Sequence, residues 1–215
     1  ERIQRAVLPP DNYIKEILPE HFILFMPRDI VSGDYYWVTQ KDDKIVFTAA
    51  DCTGHGIPGA FMSMLGISYL NEIVNRMKDL KADKILNKLR KHIMEALRQE
   101  GREGEQKDGM DMGLCIYDQK SKLLQFAGAY NSMYLIKNEE LEEVKADRMP
   151  ISIHYHGKES FTNHEMMMEK GDVIYLFSDG FPDQFGGPNG KKYMYKKMKE
   201  LLLKIHLEPL AKQRE

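Results

Sequence analysis

The sequence predicts an α+β fold in which mostly antiparallel strands pack with helices as a sandwich. Short runs rich in β-branched and aromatic residues, separated by polar turns, precede and follow a central pair of helical patterns. Strand hairpins on both sides of a helical pair favour this architecture. The 215 residues, 42% of them hydrophobic, suffice for one substantial core, which favours a single domain.

Charge and cysteine content restrict the possible partners and compartments. Lysine and arginine (31) nearly balance aspartate and glutamate (33), so the net charge of -2 does not predict binding to nucleic acid or to anionic membranes. Cys52 and Cys115 lie far apart and form no CxxC motif, which is typical of a reducing compartment. We therefore expect a cytoplasmic domain, although a longer parent protein could carry a membrane anchor.

The first ten residues predict the end of a helix. Ile3 and Val7 share a helical face before Pro9 and Pro10 end the helix. This helix is interpreted either as the end of a linker from an upstream sensor module or as a helix that packs on its own domain. We assign 1–10 to the linker and 11–215 to the domain.

Two runs, 35–38 and 44–50, predict an antiparallel hairpin, and the apolar run 21–26 predicts an earlier strand. Asp34 precedes the first strand of the hairpin and Asp51 follows the second. Because antiparallel strands place the entry of one beside the exit of the other, both carboxylates should lie at the same end of the hairpin.

The rest of the chain alternates between helical and strand patterns. A glycine-rich loop over 52–59 follows Asp51, and its glycines permit close approach of the backbone to a ligand. The remaining predicted elements are helices 60–77 and 85–97, a polar break 101–109, strands 110–117, 123–127, 132–136, 166–168 and 172–177, and a last helix 193–205.

Three aspartates share the same setting at the ends of predicted strands. Asp34, Asp51 and Asp179 each lie between an apolar strand and a glycine or small residue. Each alone would be interpreted as a turn residue. Together, and without clustered cysteine or histidine, they favour a site for a hard cation such as Mg²⁺ or Mn²⁺.

Four motifs follow one another along nearly the whole chain. They are Pro-Arg-Asp-Ile-Val-Ser-Gly-Asp-Tyr-Tyr-Trp at 27–37, Ala-Asp-Cys-Thr-Gly-His-Gly at 50–56, Asp-Gly-Met-Asp-Met at 108–112 and Phe-Ser-Asp-Gly at 177–180. Their order and spacing resemble the bacterial serine phosphatase domain of the stage II sporulation protein E type. This domain is a branch of the metal-dependent, type 2C-like protein phosphatases.

The resemblance implies a four-layer α-β-β-α sandwich with a binuclear Mn²⁺ or Mg²⁺ centre at one edge. Asp34, Asp51 and Asp179 would be the catalytic metal ligands, with the main-chain carbonyl of Cys52 as a further ligand. Many relatives have glycine at the position of Cys52, which is compatible with a carbonyl ligand. Asp111 would either hold a third, weaker cation or end the preceding loop. Water activated by two cations would then hydrolyse a phosphate ester without a covalent enzyme intermediate.

Four other residues are candidates around this centre. His55 is a candidate general acid, because an imidazole titrates near neutral pH, and a structural hydrogen-bonding role is the alternative. Arg28 could bind substrate phosphate or form a surface salt bridge. Gly54 and Gly56 could bring the backbone close to the substrate.

The resemblance also implies partners and a departure from the family. The expected substrate is a phosphoserine or phosphothreonine on a partner such as an anti-sigma-factor antagonist. A non-catalytic regulatory domain of the same fold, or a hydrolase for a small phosphorylated metabolite, remains an alternative. Relatives end with a further helix, another acidic metal ligand and a last strand, so we expect that segment to be missing. The sheet edge left unpaired could then form a homodimer.

Overall fold

The computed structural model describes residues 2–102, 106–154, 159–188 and 190–215. Its helices are α1 (Arg2–Val7), α2 (Asp11–Ile17), α3 (Gly56–Arg76), α4 (Ala82–Ala96), α5 (Gly180–Asp183), α6 (Met194–Ile205) and α7 (Leu210–Arg214). Its strands are β1 (Tyr35–Lys41), β2 (Lys44–Cys52), β3 (Met110–Asp118), β4 (Leu123–Ala129), β5 (Met133–Lys137), β6 (Glu140–Val144), β7 (His164–Met167), β8 (Val173–Tyr175), β9 (Phe185–Gly186) and β10 (Lys191–Lys192). The predicted break 101–109 separates α4 from β3, and its residues 103–105 lie outside the described residues.

The strands form two main antiparallel sheets and a short hairpin. The large sheet has five strands in the order β1-β2-β3-β4-β7, and the small sheet has three in the order β6-β5-β8. Strands β9 and β10 pair with each other. Within the large sheet, β2 pairs along its whole length with β3. The predicted hairpin is confirmed as β1 and β2.

Helices α3 and α4 cover one face of the large sheet. Small residues such as Gly66 let α3 pack closely, since a Cβ atom there would lie 2.5 Å from the Tyr35 hydroxyl. Helix α4 is amphipathic, and its apolar stripe, which includes Ile85, Leu89 and Ile93, is fully buried in this core. The helical pair therefore forms the first layer, against the large sheet as the second.

The small sheet and α6 form the third and fourth layers. Leu124 and Phe126 of the large sheet pack between the sheets against Met133 and Leu135 of the small sheet. On the far side of the small sheet, α6 belongs to a cluster of residues that includes Tyr134, Ile136, Tyr175, Met198 and Leu202. This order of layers confirms the α-β-β-α sandwich.

Residues 21–26 do not form the predicted strand. The ring of Phe22 packs edge-on against Tyr175, with centroids 6.4 Å apart, and Phe25 packs against Tyr36 at 5.5 Å. Phe22, Ile23 and Phe25 are thus half-buried against the domain from an irregular segment, whereas Leu24 and Met26 are exposed.

Strand β6 and helix α2 were not predicted from the sequence. Strand β6 contains three glutamates, which suppress the strand pattern, but it lies at a sheet edge where charged side chains are common. Helix α2 is short and buries Ile14 and Ile17 in a cluster with Val38 and Ile45.

Helix α1 is not held to the domain by the face that Ile3 and Val7 share. Ile3 and Val7, which define the predicted apolar face, are 68% and 38% exposed. The buried residue of α1 is Gln4. Contacts of this polar side chain, and not the burial of an apolar face, therefore hold the helix in place.

None of the described helices combines the length and the apolar character that a membrane span requires.

Replacing Leu89 by alanine should lower the free energy of unfolding by about 2–5 kcal/mol, because it leaves a cavity between α4 and the large sheet. The matched control is Lys88→Ala, an exposed position on the same helix, which should change stability by less than about 0.5 kcal/mol. Urea unfolding followed by circular dichroism measures both. Equal midpoints for the two variants would contradict the assigned packing of α4.

Candidate metal-binding site

The register of the large sheet brings three aspartates to one edge. Tyr35 pairs with Ala50, so Asp34 and Asp51, the adjoining residues, lie side by side at the end of the hairpin. Asp51 pairs directly with Asp111 of β3. The carboxylates of Asp34, Asp51 and Asp111 therefore come from neighbouring strand ends, as the hairpin argument predicts for the first two.

Asp179 reaches the same edge from the small sheet. It follows β8 and precedes α5, and its neighbour Ser178 donates a hydrogen bond from Oγ to Oδ2 of Asp34 at 2.9 Å. This bond joins the loops of the two sheets. The structure thus brings Asp179 to the edge that carries Asp34 and Asp51.

The carboxylates lie close enough to change one another's ionisation. Burial raises the pKa of Asp51 to about 8, and the negative charges of Asp34 and Asp179, together with hydrogen bonds to them, contribute to this shift. Burial and then the charge of Asp179 raise the pKa of Asp111 to about 6. Near neutral pH the metal-free site therefore favours a protonated carboxyl at Asp51 over a further negative charge beside Asp34 and Asp179.

Two side chains at this edge were missed by the sequence analysis. Ser178 was noted only as part of a motif, yet it orients Asp34. Tyr195 lies on α6, and burial followed by the charge of Asp179 raises the pKa of its phenol. Only the three-dimensional packing of α6 beside the loop after β8 brings Tyr195 here, so no local sequence signal identified it.

Hydrogen bonds to Gly109, the residue before β3, hold the loop after Asp51. The Thr53 amide donates to the Gly109 carbonyl at 2.9 Å, and the Gly109 amide donates to Oγ1 of Thr53 at 3.2 Å. Gly54 and Gly56 have φ angles of +86° and +62°, which favour glycine. The approach of a ligand to this backbone stays a prediction.

The Cys52 carbonyl faces the segment that carries Asp34. A Cβ atom on Gly33 would lie 3.1 Å from this oxygen and 2.7 Å from the Gly54 carbonyl oxygen. The Cys52 thiol is buried in the core, and burial followed by the charge of Asp51 raises its pKa. The main-chain carbonyl oxygen of Cys52 is therefore a better metal ligand than its thiol.

His55 and Arg28 lie on exposed segments beside the loop. His55 precedes α3, its side chain is 75% exposed, and its Nδ1 lies 3.1 Å from Oδ2 of Asp29. Arg28 is exposed and adjoins Asp29 in the chain. The contact found for His55 is thus with Asp29.

The donor set fits a hard cation that keeps water ligands. Its atoms are carboxylate and carbonyl oxygens, which Mg²⁺ and Mn²⁺ prefer. Across the ranges that the structure describes, no three or more His, Cys, Asp or Glu side chains form a group that could hold a metal ion. Mg²⁺ is commonly held by only one or two carboxylates together with water, so the chemistry of the donors fits such a cation.

The sandwich with acidic residues at one edge of its sheets defines the fold class of the type 2C (PP2C) protein phosphatases. Within that class, the chain belongs to the stage II sporulation protein E (SpoIIE) family, whose model matches residues 41–214.

Solved structures support this assignment. The SiaA-PP2C domain of Pseudomonas aeruginosa is 33% identical, with a TM-score of 0.86 over 99% of this chain and 82% of that chain. The PP2C phosphatase domain of SpoIIE from Bacillus subtilis, solved with a fragment of its regulatory domain, is 19% identical, with a TM-score of 0.62 over 87% of this chain and 55% of that chain.

A third similar structure is the catalytic domain of the serine threonine protein phosphatase PstP, solved in complex with two manganese ions. It is 15% identical, with a TM-score of 0.53 over 91% of this chain and 84% of that chain. At such identities the likeness concerns the fold. No curated protein sequence matches the chain.

Metal-free protein should lose stability as the pH rises from about 4 to about 8. The pKa of Asp51 is about 8 in the folded state against an ordinary value of 3.8, so the folded state binds more protons across this interval and deprotonation favours unfolding. Asp51→Asn should flatten this dependence and raise the melting temperature at pH 8. Thermal melts in EDTA across the interval measure the effect.

The matched control for this experiment is Asp42→Asn, an exposed aspartate at the opposite end of the same hairpin. It should retain the wild-type slope. A slope for Asp51→Asn equal to that of wild type would show that Asp51 is not the group whose deprotonation destabilises the fold.

Proposed function

We propose that this chain is a Mn²⁺- or Mg²⁺-dependent protein serine/threonine phosphatase domain that acts as the output module of a bacterial signalling protein. The observation that carries the proposal is the convergence of Asp34, Asp51 and Asp179 from both sheets at one edge of the sandwich. Membership of the SpoIIE family supports the same activity.

In this proposal Asp34, Asp51, Asp179 and the Cys52 carbonyl hold two cations, and Asp111 contributes to a weaker third site. Such cations, when bound, activate water and stabilise negative charge on the phosphoryl oxygens. The catalytic domain of PstP, which was solved with two manganese ions, supports this stoichiometry. Bound cations would also favour the ionised form of Asp51, whose pKa is raised first by burial and then by the charges of Asp34 and Asp179.

The remaining candidates take roles around the phosphate. Asp29 holds one nitrogen of the His55 ring, which leaves the other free to face a leaving serine oxygen as general acid. The planar guanidinium of Arg28 can donate hydrogen bonds to two phosphate oxygens. Gly54 and Gly56 let the backbone approach the substrate.

An exposed apolar surface beside the loop favours a protein substrate over a small metabolite. Ile57 and Phe61 lie one turn apart at the start of α3 and are 68% and 69% exposed. Ile30 is also exposed and adjoins Asp29, the partner of His55. Exposed apolar groups next to a polar site are typical of surfaces that bind another protein.

The partner that we propose is a phosphorylated anti-sigma-factor antagonist, and the proposed compartment is the cytoplasm. The regulatory-domain fragment in the SpoIIE structure of Bacillus subtilis supports control by another domain of a longer chain. The linker in 1–10, the upstream sensor and the homodimer stay predictions.

Binding of a partner without turnover is the second candidate function, favoured by the lack of a three-ligand group among the described side chains.

Hydrolysis of p-nitrophenyl phosphate should require Mn²⁺ and stop in EDTA. It should fall at least ~100-fold in Asp51→Asn, because a metal ligand should matter at least as much for activity as the groups that orient it. Asp42→Asn should keep wild-type activity, since it lies at the far end of the hairpin. If wild type is inactive with Mn²⁺ while partner binding persists in Asp51→Asn without metal, the non-catalytic alternative replaces this proposal.

Phe61→Ser should lower turnover of a phosphoprotein at least ~10-fold, while hydrolysis of p-nitrophenyl phosphate stays unchanged, because the apolar surface would contact only a protein substrate. Leu207→Ser is the matched control, since Leu207 is 76% exposed elsewhere on the surface. Kinetic measurements with both substrates on each variant determine whether only turnover of the phosphoprotein falls. An equal loss on both substrates, or none on either, would contradict a docking role for Phe61.

A further inference from the structure

A glutamine, and not an apolar side chain, anchors α1 to the domain. Gln4 is only 8% exposed, whereas its neighbour Ile3 is 68% exposed. Burying an amide costs free energy unless its polar atoms find partners. The contacts of Gln4 therefore decide where α1 packs and what it holds.

The Gln4 amide binds both main-chain groups of Ser32. Its Nε2 donates to the Ser32 carbonyl oxygen at 2.6 Å, and its Oε1 accepts from the Ser32 amide at 3.1 Å. The second hydrogen of Nε2 is donated to Oγ of Ser63 on α3 at 2.9 Å. Both serines are buried, so these bonds are shielded from water.

Ser32 needs such a partner because it lies outside the sheets. The segment between α2 and β1 has no helix or strand, and β1 begins only at Tyr35. A buried amide or carbonyl that lacks a hydrogen-bond partner destabilises the folded state. The side-chain amide of Gln4 makes the two main-chain hydrogen bonds that a neighbouring strand would make to Ser32 in a sheet.

The anchored serine is connected directly to Asp34. Oγ of Ser32 accepts a hydrogen bond from the Asp34 amide at 3.0 Å. Gly33, between them, packs against the backbone of the loop after Asp51. The Asp34 carboxylate in turn accepts the hydrogen bond of Ser178. A continuous chain of contacts thus leads from α1 to a carboxylate of the candidate metal site.

We propose that Gln4 is a positioning residue for Asp34. By fixing the main chain of Ser32, it sets the place of the Asp34 carboxylate at the sheet edge before any cation binds. This inference rests on the proposed function, in which Asp34 is a metal ligand, and adds that α1 belongs to the metal-binding apparatus.

The test compares Gln4→Ala with Gln213→Ala. Gln213 is also buried and also makes three hydrogen bonds, with Tyr175, His206 and Glu208, but lies on α7. Thermal melts establish that both variants are folded. Gln4→Met, which keeps the length of the side chain without its polar atoms, replaces Gln4→Ala if that variant does not fold.

The first readout is Mn²⁺ binding, followed by electron paramagnetic resonance of the free ion. Gln4→Ala should weaken binding about 10–100-fold, as expected for loss of a group that orients a ligand, and Gln213→Ala should change it less than about twofold. A folded Gln4 variant that binds Mn²⁺ like wild type would overturn the inference.

The second readout is amide hydrogen exchange of the metal-free proteins. The amides of Ser32 and Asp34 should exchange at least about 10-fold faster in Gln4→Ala than in wild type, and at the wild-type rate in Gln213→Ala. Unchanged exchange in Gln4→Ala would overturn the inference whatever the metal data show. Absence of Mn²⁺ binding in wild type would instead overturn the proposed function, so the two failures are distinguishable.

Discussion

The pairing of β2 with strands on both of its sides is the constraint on which the candidate site depends. A shift of one residue in either pairing would turn every side chain to the opposite face and separate Asp51 from its neighbours. The apolar residues of the central strands pack with those of α3 and α4 in one core cluster. They resist such a shift, because the strand side chains would then face away from the helices. The core thereby determines the positions of Asp34 and Asp111 relative to Asp51.

The same pairing forces like charges together. Carboxylates at adjacent strand ends repel one another, and burial removes the water that would screen them. The sheets on either side supply the stability that offsets this cost, since their apolar residues form continuous clusters around the polar edge. Local destabilisation of this kind is typical of sites where a ligand completes the structure.

The sequence predicts those parts of the molecule that depend on local pattern. The hairpin of β1 and β2 follows from alternating β-rich runs, and the place of Asp51 beside Asp34 follows from antiparallel geometry. The pairing of Asp51 with Asp111 could not be derived in this way, because β3 lies far along the chain and its register depends on the packed core. Gln4 escaped prediction for a related reason: a polar residue on a short helix gives no sign that it will be buried. The segment 21–26 shows the converse, because apolar residues alone do not distinguish a paired strand from an irregular stretch that is half-buried at the surface.

The crossing of three backbones beside the site has a mechanical consequence. A Cβ atom on Gly59, in the first turn of α3, would lie 2.5 Å from the Gly54 carbonyl oxygen and 2.8 Å from the Cα atom of Gly33. No side chain separates these main chains, so no rotamer change can absorb a displacement between them. A displacement of α3 at Gly59 must therefore move Gly33 with it or open this contact, because the two main chains touch directly. The start of α3 and the segment that carries Asp34 are thus mechanically coupled.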